Sequence, residues 1–118
     1  MDQQPRAIGD ILKARQNIIF KGADAATQKG FTQVPNFLLR SNKLSAGDKL
    51  AFAMLLSYAW ANDYCFPGQK RLGEDMGITE RSVRTHLKSL AALGLLTIKR
   101  RGLGDTNIYE LDLSPKKL

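Results

Sequence analysis

Residues Gln69 to Lys99 read QKRLGEDM, GIT, ERSVRTHLKSLAALG and LLTIK in turn, and they constrain the fold more strongly than any other segment. The first and third pieces have helical spacing, GIT has the length of a tight turn, and LLTIK is typical of a strand. Gly77 favours the end of the first helix because glycine adopts the left-handed conformation at little cost. Thr79 is a good N-cap for the second helix. The segment therefore predicts helix, tight turn, helix and strand.

The helix that should follow Thr79 and run to about Leu93 has two different faces. Four apolar residues share one face and should anchor the helix to the core: Val83, Leu87, Leu90 and Leu93. The remaining surface carries cationic or hydroxyl side chains: Arg81, Ser82, Arg84, Thr85 and Lys88. A protruding helix of this size fits the major groove of duplex DNA, where Arg can bond guanine and Ser or Thr can contact base edges. The pattern predicts a recognition helix; the alternative is an ordinary solvated helix face.

The side chains of this recognition helix divide by the contacts expected of them. Those expected to contact bases are Arg81, Ser82, Thr85 and Arg84. Arg81 and Thr85 come first among them because the first turn of such a helix enters the groove deepest. Lys88 is expected to contact a phosphate, and Arg84 can reach one as well. His86 lies beside the apolar face, so we interpret it as a boundary packing residue rather than a ligand or an acid–base group.

The chain after the recognition helix predicts a β-hairpin. Leu95 to Arg100 alternates weakly, Arg101 to Thr106 is a glycine-bearing turn, and Asn107 to Leu113 alternates cleanly. One face of the second strand would carry Ile108, Glu110 and Asp112, and the other Tyr109, Leu111 and Leu113. Helices followed by such a hairpin form a winged helix-turn-helix. The last five residues, SPKKL, are predicted to be a frayed tail over 114–118.

Positive charge is concentrated in the same region. The formal net charge is +7, and residues 68–101 contain eight Lys or Arg against three Asp or Glu. A local basic field of this kind suits a polyanionic partner, although a generic solvated surface can have the same composition. The side chains expected to contact phosphates, besides Lys88, lie early in the first helix and around the hairpin turn: Lys70, Arg71, Lys99, Arg100, Arg101 and Asn107.

The first 30 residues are predicted to be an extension of the domain. Apolar residues at helical spacing over 8–20 predict a short amphipathic helix, and the small, polar KGADAATQKG over 21–30 is predicted to be a linker. A helix this short is marginal alone. It must dock on its own domain, on a second copy or on a partner, unless it is a disordered arm.

A longer helix is predicted to start at Ser45, an N-cap residue with Asp48 three positions on. It should end near Asn62, and its interior LAFAMLLSYAW is apolar nearly all round, which indicates burial on more than one side. Before it, Phe31 to Val34 should be extended, and Pro35 suits the start of a short helix over 36–40. A homodimer through the N-terminal helix and the 45–62 helix is a further expectation.

Composition narrows the class of protein. A single cysteine, Cys65, excludes an internal disulfide, and with a single histidine it cannot complete a conventional four-ligand zinc site. The longest apolar run, Leu50 to Leu56, is seven residues, and a membrane span needs roughly 20. The GLGD sequence in the hairpin turn lacks the Lys-Ser/Thr of a P-loop. We therefore predict a soluble cytoplasmic protein, not an enzyme, with no membrane segment, metal or cofactor and with a semi-buried Cys65.

Two longer runs, VPNFLLRSNKLSAGDKLAFAMLLSYA and CFPGQKRLGEDMGITERSVRTHLKSLAALGLL, resemble bacterial winged helix-turn-helix domains. Such domains occur near the start of plasmid and phage replication initiators and in related small regulators. The resemblance covers residues 31–113. It implies a mainly α (α+β) fold with a three-helix core, a C-terminal β-hairpin wing and an N-terminal helical extension. Gly68 departs from the pattern, since such domains usually have a serine there to cap the helix.

The resemblance, together with the recognition helix, predicts sequence-specific binding of double-stranded DNA through residues 79–93 and a basic wing over 99–107. The role would be replication initiation or control, or transcriptional regulation, at a plasmid, phage or bacterial locus. The alternative is a winged-helix adaptor that binds other proteins in a replication or partition assembly and has little affinity for DNA.

Overall fold

The computed structural model describes residues 17–61, 65–100, 102 and 107–118. These residues form five helices and a two-stranded antiparallel hairpin: α1 Ala23–Lys29, α2 Asn36–Arg40, α3 Ala46–Ala61, α4 Gln69–Met76, α5 Glu80–Ala92, β1 Leu96–Lys99 and β2 Ile108–Leu111. In the hairpin, Leu96 lies opposite Leu111 and Lys99 lies opposite Ile108. The architecture is mainly α with a small sheet, and it confirms the predicted winged helix-turn-helix fold.

The chain divides into a unit of residues 1–31 and a unit of residues 32–118. The helix predicted over 8–20 lies mostly outside the described residues, and residues 17–20, which are described, are not helical. The linker predicted over 21–30 is wrong, because α1 lies within it.

Two glycines at the ends of α1 explain the error in the linker prediction. Gly22 and Gly30 have φ angles of 76° and 96°, and they bracket the helix. The sequence ADAATQK between them is rich in alanine, the residue with the highest helix propensity. The glycines thus mark the two ends of a helix, although the same residues are equally typical of an irregular connection.

In the unit of residues 32–118, α3 is the central helix and packs against both α4 and α5. Its buried apolar side chains are Ala51, Phe52, Leu55, Leu56 and Tyr58. The predicted cap at its start is confirmed. The N–H of Asp48 donates to Ser45 Oγ at 3.1 Å, and the N–H of Ser45 donates to Asp48 Oδ2 at 3.2 Å. This reciprocal capping box satisfies two amides that the helix itself cannot satisfy.

The turn between α4 and α5 is held by backbone hydrogen bonds. Gly77 adopts the left-handed conformation, with φ 73° and ψ 32°. The N–H of Ile78 donates to the carbonyl of Gly73 at 2.9 Å, and the N–H of Gly77 donates to the carbonyl of Glu74 at 3.3 Å. These two bonds form a Schellman motif, which ends a helix while pairing its last carbonyls. Because only three residues separate the helices, this motif fixes the direction in which α5 leaves α4.

The same motif attaches the wing to the end of α5. Gly94 has a φ of 78°, and the N–H of Leu95 donates to the carbonyl of Leu90 at 3.0 Å. Leu95 and Leu96 are buried in the core, so the first strand leaves the domain directly from its interior. The N–H of Asp112 then donates to the carbonyl of Leu95 at 2.9 Å and holds the end of the second strand beside this exit.

The alternation predicted for the second strand holds where the strand is formed. Tyr109 and Leu111 pack against the core, whereas Ile108 and Glu110 are exposed. Leu113 was expected on the same face as Tyr109, but it is exposed. The alternation stops because β2 ends at Leu111, two residues before Leu113.

The C-terminal residues pack on the domain, so the prediction of a frayed tail is wrong. Pro115 is buried and Leu118 packs against the core cluster. Lys117 Nζ donates to the carbonyl of Ala92 at 3.2 Å, and Lys43 Nζ donates to the carbonyl of Lys117 at 2.9 Å. A cation at the last carbonyls of α5 is favourable because those groups carry the negative end of the helix dipole.

Gly73 is expected to be essential for the packing of the turn. A Cβ at this position would lie 2.8 Å from the carbonyl oxygen of Ile78, a backbone atom that cannot move without opening the turn. Alanine is ordinarily the better helix former, so at an open site the substitution would stabilise α4. Here we expect Gly73→Ala to lower the free energy of unfolding by about 1–3 kcal/mol, the usual cost of overpacking.

Urea denaturation followed by circular dichroism measures this free energy. The matched control is Glu74→Ala, the neighbouring exposed position on the same helix, which we expect to change stability by less than about 0.5 kcal/mol. A Gly73→Ala variant as stable as the wild type would show that the turn can relax around the added methyl group.

Candidate nucleic-acid interface

The recognition helix predicted from sequence is α5, and its two faces lie as expected. Val83, Leu87 and Leu90 are buried in the core. Four of the predicted contact residues are exposed on the remaining surface: Arg81, Arg84, Thr85 and Lys88. Ser82 is half-buried. The helix thus presents a cationic and hydroxyl-bearing surface to solvent along its length while its apolar side faces the core.

Hydrogen bonds at the start of α5 determine whether its hydroxyl groups can donate or accept a further hydrogen bond. The Thr79 hydroxyl accepts from the N–H of Ser82 at 3.2 Å and donates to Ser82 Oγ at 3.1 Å. The Ser82 hydroxyl is therefore left with its own proton to donate. Thr85 Oγ1 donates to the carbonyl of Arg81 at 3.2 Å, which leaves its oxygen able to accept. The two hydroxyls thus differ in chemistry, and Ser82 is the less accessible of the two.

The predicted phosphate-contacting residues of α4, Lys70 and Arg71, are both exposed. Arg71 is also part of a network that was not predicted from the sequence. Its Nε donates to both carboxylate oxygens of Asp75 at 3.1 Å. Asp75 in turn accepts a hydrogen bond from the Tyr58 hydroxyl at 2.6 Å. The network joins the exposed face of α4 to a buried tyrosine of α3.

The acid–base properties of this network follow from its geometry. The bond from the Tyr58 hydroxyl, followed by the bond from Arg71, lowers the pKa of Asp75 below its ordinary value. Burial, followed by the bond to Asp75, raises the pKa of Tyr58 well above its ordinary value. Asp75 is therefore ionised and Tyr58 protonated at neutral pH, as their hydrogen bond requires.

Of the predicted contact residues of the wing, Lys99, Arg100 and Asn107 are exposed, and Arg101 lies outside the described residues. Lys99 Nζ lies 2.8 Å from Glu110 Oε2 on the opposite strand, and both side chains are more than half exposed. An exposed pair of this kind is weak, about 0–1 kcal/mol, so Lys99 can exchange Glu110 for another anion.

A contact between α3 and α5 was likewise not predicted from the sequence. His86 Nδ1 donates to Asp48 Oδ1 at 2.7 Å, and the side chains are 22% and 8% exposed. His86 therefore does more than pack at a boundary, and Asp48 does more than cap its helix. A Cβ at Gly47 would collide with the His86 ring, so glycine allows this close approach. The two residues are 38 positions apart, and no sequence spacing could have paired them.

Other side chains at the surface bear on what the chain can do. Cys65 is exposed, which corrects the prediction that it is semi-buried. Over the described ranges, no three His, Cys, Asp or Glu side chains lie close enough to hold a metal ion. Among the helices in those ranges, none is long and apolar enough to cross a membrane.

Comparison with known proteins agrees with this architecture. Residues 42–96 match a protein family described as a helix-turn-helix domain. A structure named "N-Terminal domain of DNA binding protein" is similar at 25% identity and a TM-score of 0.59, over 85% of this chain and 86% of that one. A second, named "Structure of Rep-DNA complex", is similar at 24% identity and a TM-score of 0.57, over 81% of this chain and 84% of that one. No curated protein matches the sequence.

The matched residues 42–96 run from just before α3 to the first residue of β1, and they include the whole helix-turn-helix. The helices and the hairpin of the described residues therefore have the winged helix-turn-helix fold that the sequence resemblance implied.

The carboxylate of Asp48 has two structural functions, and a double-mutant cycle should separate them. We expect Asp48→Ala to lower the free energy of unfolding by about 1–3 kcal/mol, because it removes a helix cap and a hydrogen bond to His86. His86→Ala should lower the free energy of unfolding by less, since the cap of α3 remains. The double variant should lose less stability than the sum of the two single losses, because each single variant already removes the shared hydrogen bond. Urea denaturation of the three variants measures these values, and additive losses would contradict the assignment.

Proposed function

We propose that this chain binds double-stranded DNA with a preference for particular sequences. The observation that carries the proposal is the exposure of Arg81, Thr85 and Lys88 on a helix whose opposite face is buried. A helix anchored in this way enters the major groove without giving up any core contact. There Arg81 would bond guanine and Thr85 would accept from an adenine or cytosine amino group, since its own proton is already used.

The cationic residues beside α5 would hold the domain on the backbone of the duplex. The proposed phosphate contacts are Lys88 and Arg84 on α5, Lys70 and Arg71 on α4, and Lys99, Arg100, Arg101 and Asn107 of the wing. Contacts of this kind fix the register of a protein on DNA and carry no sequence information themselves. Base preference would come from Arg81 and Thr85, with Ser82 and Arg84 at the edge of the contact.

The two similar structures support this function by their names, one as part of a DNA-binding protein and the other as a Rep–DNA complex. We infer a role in replication initiation or control, or in transcriptional regulation, at a plasmid, phage or bacterial locus in the cytoplasm. The chain would act by occupying its site, so that an origin is marked or a promoter is blocked, and no chemical step is required of it.

A second copy of the chain would extend the contact to two half-sites. Leu50 and Trp60 on α3 are 46% and 49% exposed, so this helix retains apolar surface beyond what the core uses. In a homodimer formed through this helix and the N-terminal segment, two recognition helices would lie roughly 34–36 Å apart and meet an inverted repeat.

Selection of bound sites from random duplexes, followed by titration of the selected site at several salt concentrations, tests the function. If about five of the proposed cationic residues contact phosphates at the same time, the slope of log affinity against log salt should be roughly −4 to −5. Sizing of the complex gives the number of copies on the site. A chain that enriches no sequence and shows no salt-dependent affinity would instead be the protein-binding adaptor.

Arg81 and Arg100 are expected to contribute to binding in different ways. Arg81→Ala should remove about 1–3 kcal/mol of discrimination at one base pair and leave binding to random duplexes nearly unchanged. Arg100→Ala should weaken selected and random duplexes about equally and reduce the salt slope by about one unit. Competition binding against both duplexes measures the two effects. The same loss on both duplexes for both variants would contradict this division of roles.

A further inference from the structure

We propose that Asp75 is a positioning residue for DNA binding, which orients the guanidinium of Arg71 toward a phosphate of the duplex. The inference rests on the proposed function. It adds Asp75, a residue whose negative charge would oppose direct contact with a phosphate. Asp75 and Arg71 lie on α4 at positions i+4 and i, and the Arg71 side chain is 61% exposed.

The geometry of the pair leaves the phosphate-binding part of Arg71 available. Both contacts to Asp75 are made by Nε, at 3.1 Å to each carboxylate oxygen. Across the described part of the chain, Asp75 is the carboxylate that forms an ion pair with Arg71, while Glu74 acts on it only as a nearby negative charge. The two terminal nitrogens therefore keep their four N–H groups, which form the fork that binds phosphate in a bidentate manner.

The carboxylate that holds Arg71 is itself held by the core. Asp75 Oδ2 accepts from the Tyr58 hydroxyl at 2.6 Å, and Tyr58 is buried. The centroid of the Tyr58 ring lies 6.3 Å from that of Phe66, which makes an edge-on contact at 4.6 Å with Tyr109 on the second strand of the wing. Arg71 is thus connected through Asp75 and Tyr58 to a packed aromatic group that also includes Tyr109 of the wing.

Preorganisation is what this arrangement supplies. A free arginine side chain loses rotamer entropy when it is fixed. A guanidinium that is already held through Nε loses less rotamer entropy when it binds a phosphate. Asp75 remains ionised for this purpose at neutral pH, since the bonds from Tyr58 and Arg71 lower its pKa. Lys70, the residue before Arg71 on the same helix, is exposed, and no carboxylate holds its side chain in the described structure.

The proposal predicts a change in DNA affinity opposite in sign to the one that charge repulsion alone predicts. Removing a negative charge beside a polyanion should strengthen binding if the charge only repels DNA. If Asp75 positions Arg71, removing its charge should weaken binding. Asp75→Asn suits this test because the amide oxygen can still accept from the Tyr58 hydroxyl. The substitution removes the negative charge and replaces the second carboxylate oxygen with an NH₂ donor that faces Nε, so the hold on Arg71 is weakened.

The matched control is Glu74→Gln, which removes an exposed carboxylate one residue earlier on the same helix. Affinity for the selected duplex is measured at fixed salt, with thermal unfolding used to verify that both variants are folded. We expect Asp75→Asn to bind about three- to tenfold more weakly than the wild type, within the coupling seen between contacting residues. Glu74→Gln should bind as tightly as the wild type or more tightly.

A second pair of variants shows whether the effect passes through Arg71. With Arg71→Ala already present, adding Asp75→Asn should no longer weaken binding, because no guanidinium remains to be oriented. Equal or tighter binding of Asp75→Asn alone, or the same loss in both backgrounds, would overturn the positioning role. A wild-type chain without salt-dependent affinity for duplex DNA would overturn the proposed function first, and this inference with it.

Discussion

The rest of the structure depends on the burial of one side of α5. Full burial of a valine or leucine side chain contributes about 1.5–3 kcal/mol, and α5 buries Val83, Leu87 and Leu90 against the neighbouring helices. A solvent-exposed ion pair contributes about 0–1 kcal/mol, so the charged residues of this helix cannot decide its orientation. The apolar side takes the inner position, and the cationic side is left outward as a consequence.

The central helix α3 holds both members of the helix-turn-helix through polar contacts as well as through apolar packing. Asp48 of α3 links to His86 of α5, and Tyr58 of α3 links to Asp75 of α4. Each link uses a short hydrogen bond at the edge of the core, where water is partly excluded and such a bond is directional. Apolar packing alone permits small rotations of a helix about its axis. The two polar links restrict those rotations, because a hydrogen bond loses strength quickly when its angle changes.

The sequence was sufficient to predict the elements whose signals are local. The caps at Ser45 and Thr79, the glycine at position 77 and the apolar periodicity of α5 all depend on residues within a few positions of one another. The contacts that could not be predicted are those between distant residues, such as His86 with Asp48 and Tyr58 with Asp75. The docking of Lys117 on the last carbonyls of α5 is of the same kind. Those contacts depend on how the helices pack, which the sequence shows only as buried faces. The helix α1 was missed for another reason, since glycines can border a helix as well as a loop.

The turn of Gly77, Ile78 and Thr79 has a consequence for how this domain can diverge. Every residue of the turn has a separate role in the backbone. Gly77 takes the left-handed conformation, and the N–H of Ile78 donates to a carbonyl of α4. The Thr79 hydroxyl accepts a hydrogen bond from an N–H in the first turn of α5. An inserted residue would disrupt one of these roles, and one inserted inside α5 would rotate the following residues by about 100°. Homologous domains should therefore keep the spacing of α4 and α5 constant while their solvent-facing side chains vary. New target preferences would arise by substitution in place, with the length of the segment unchanged.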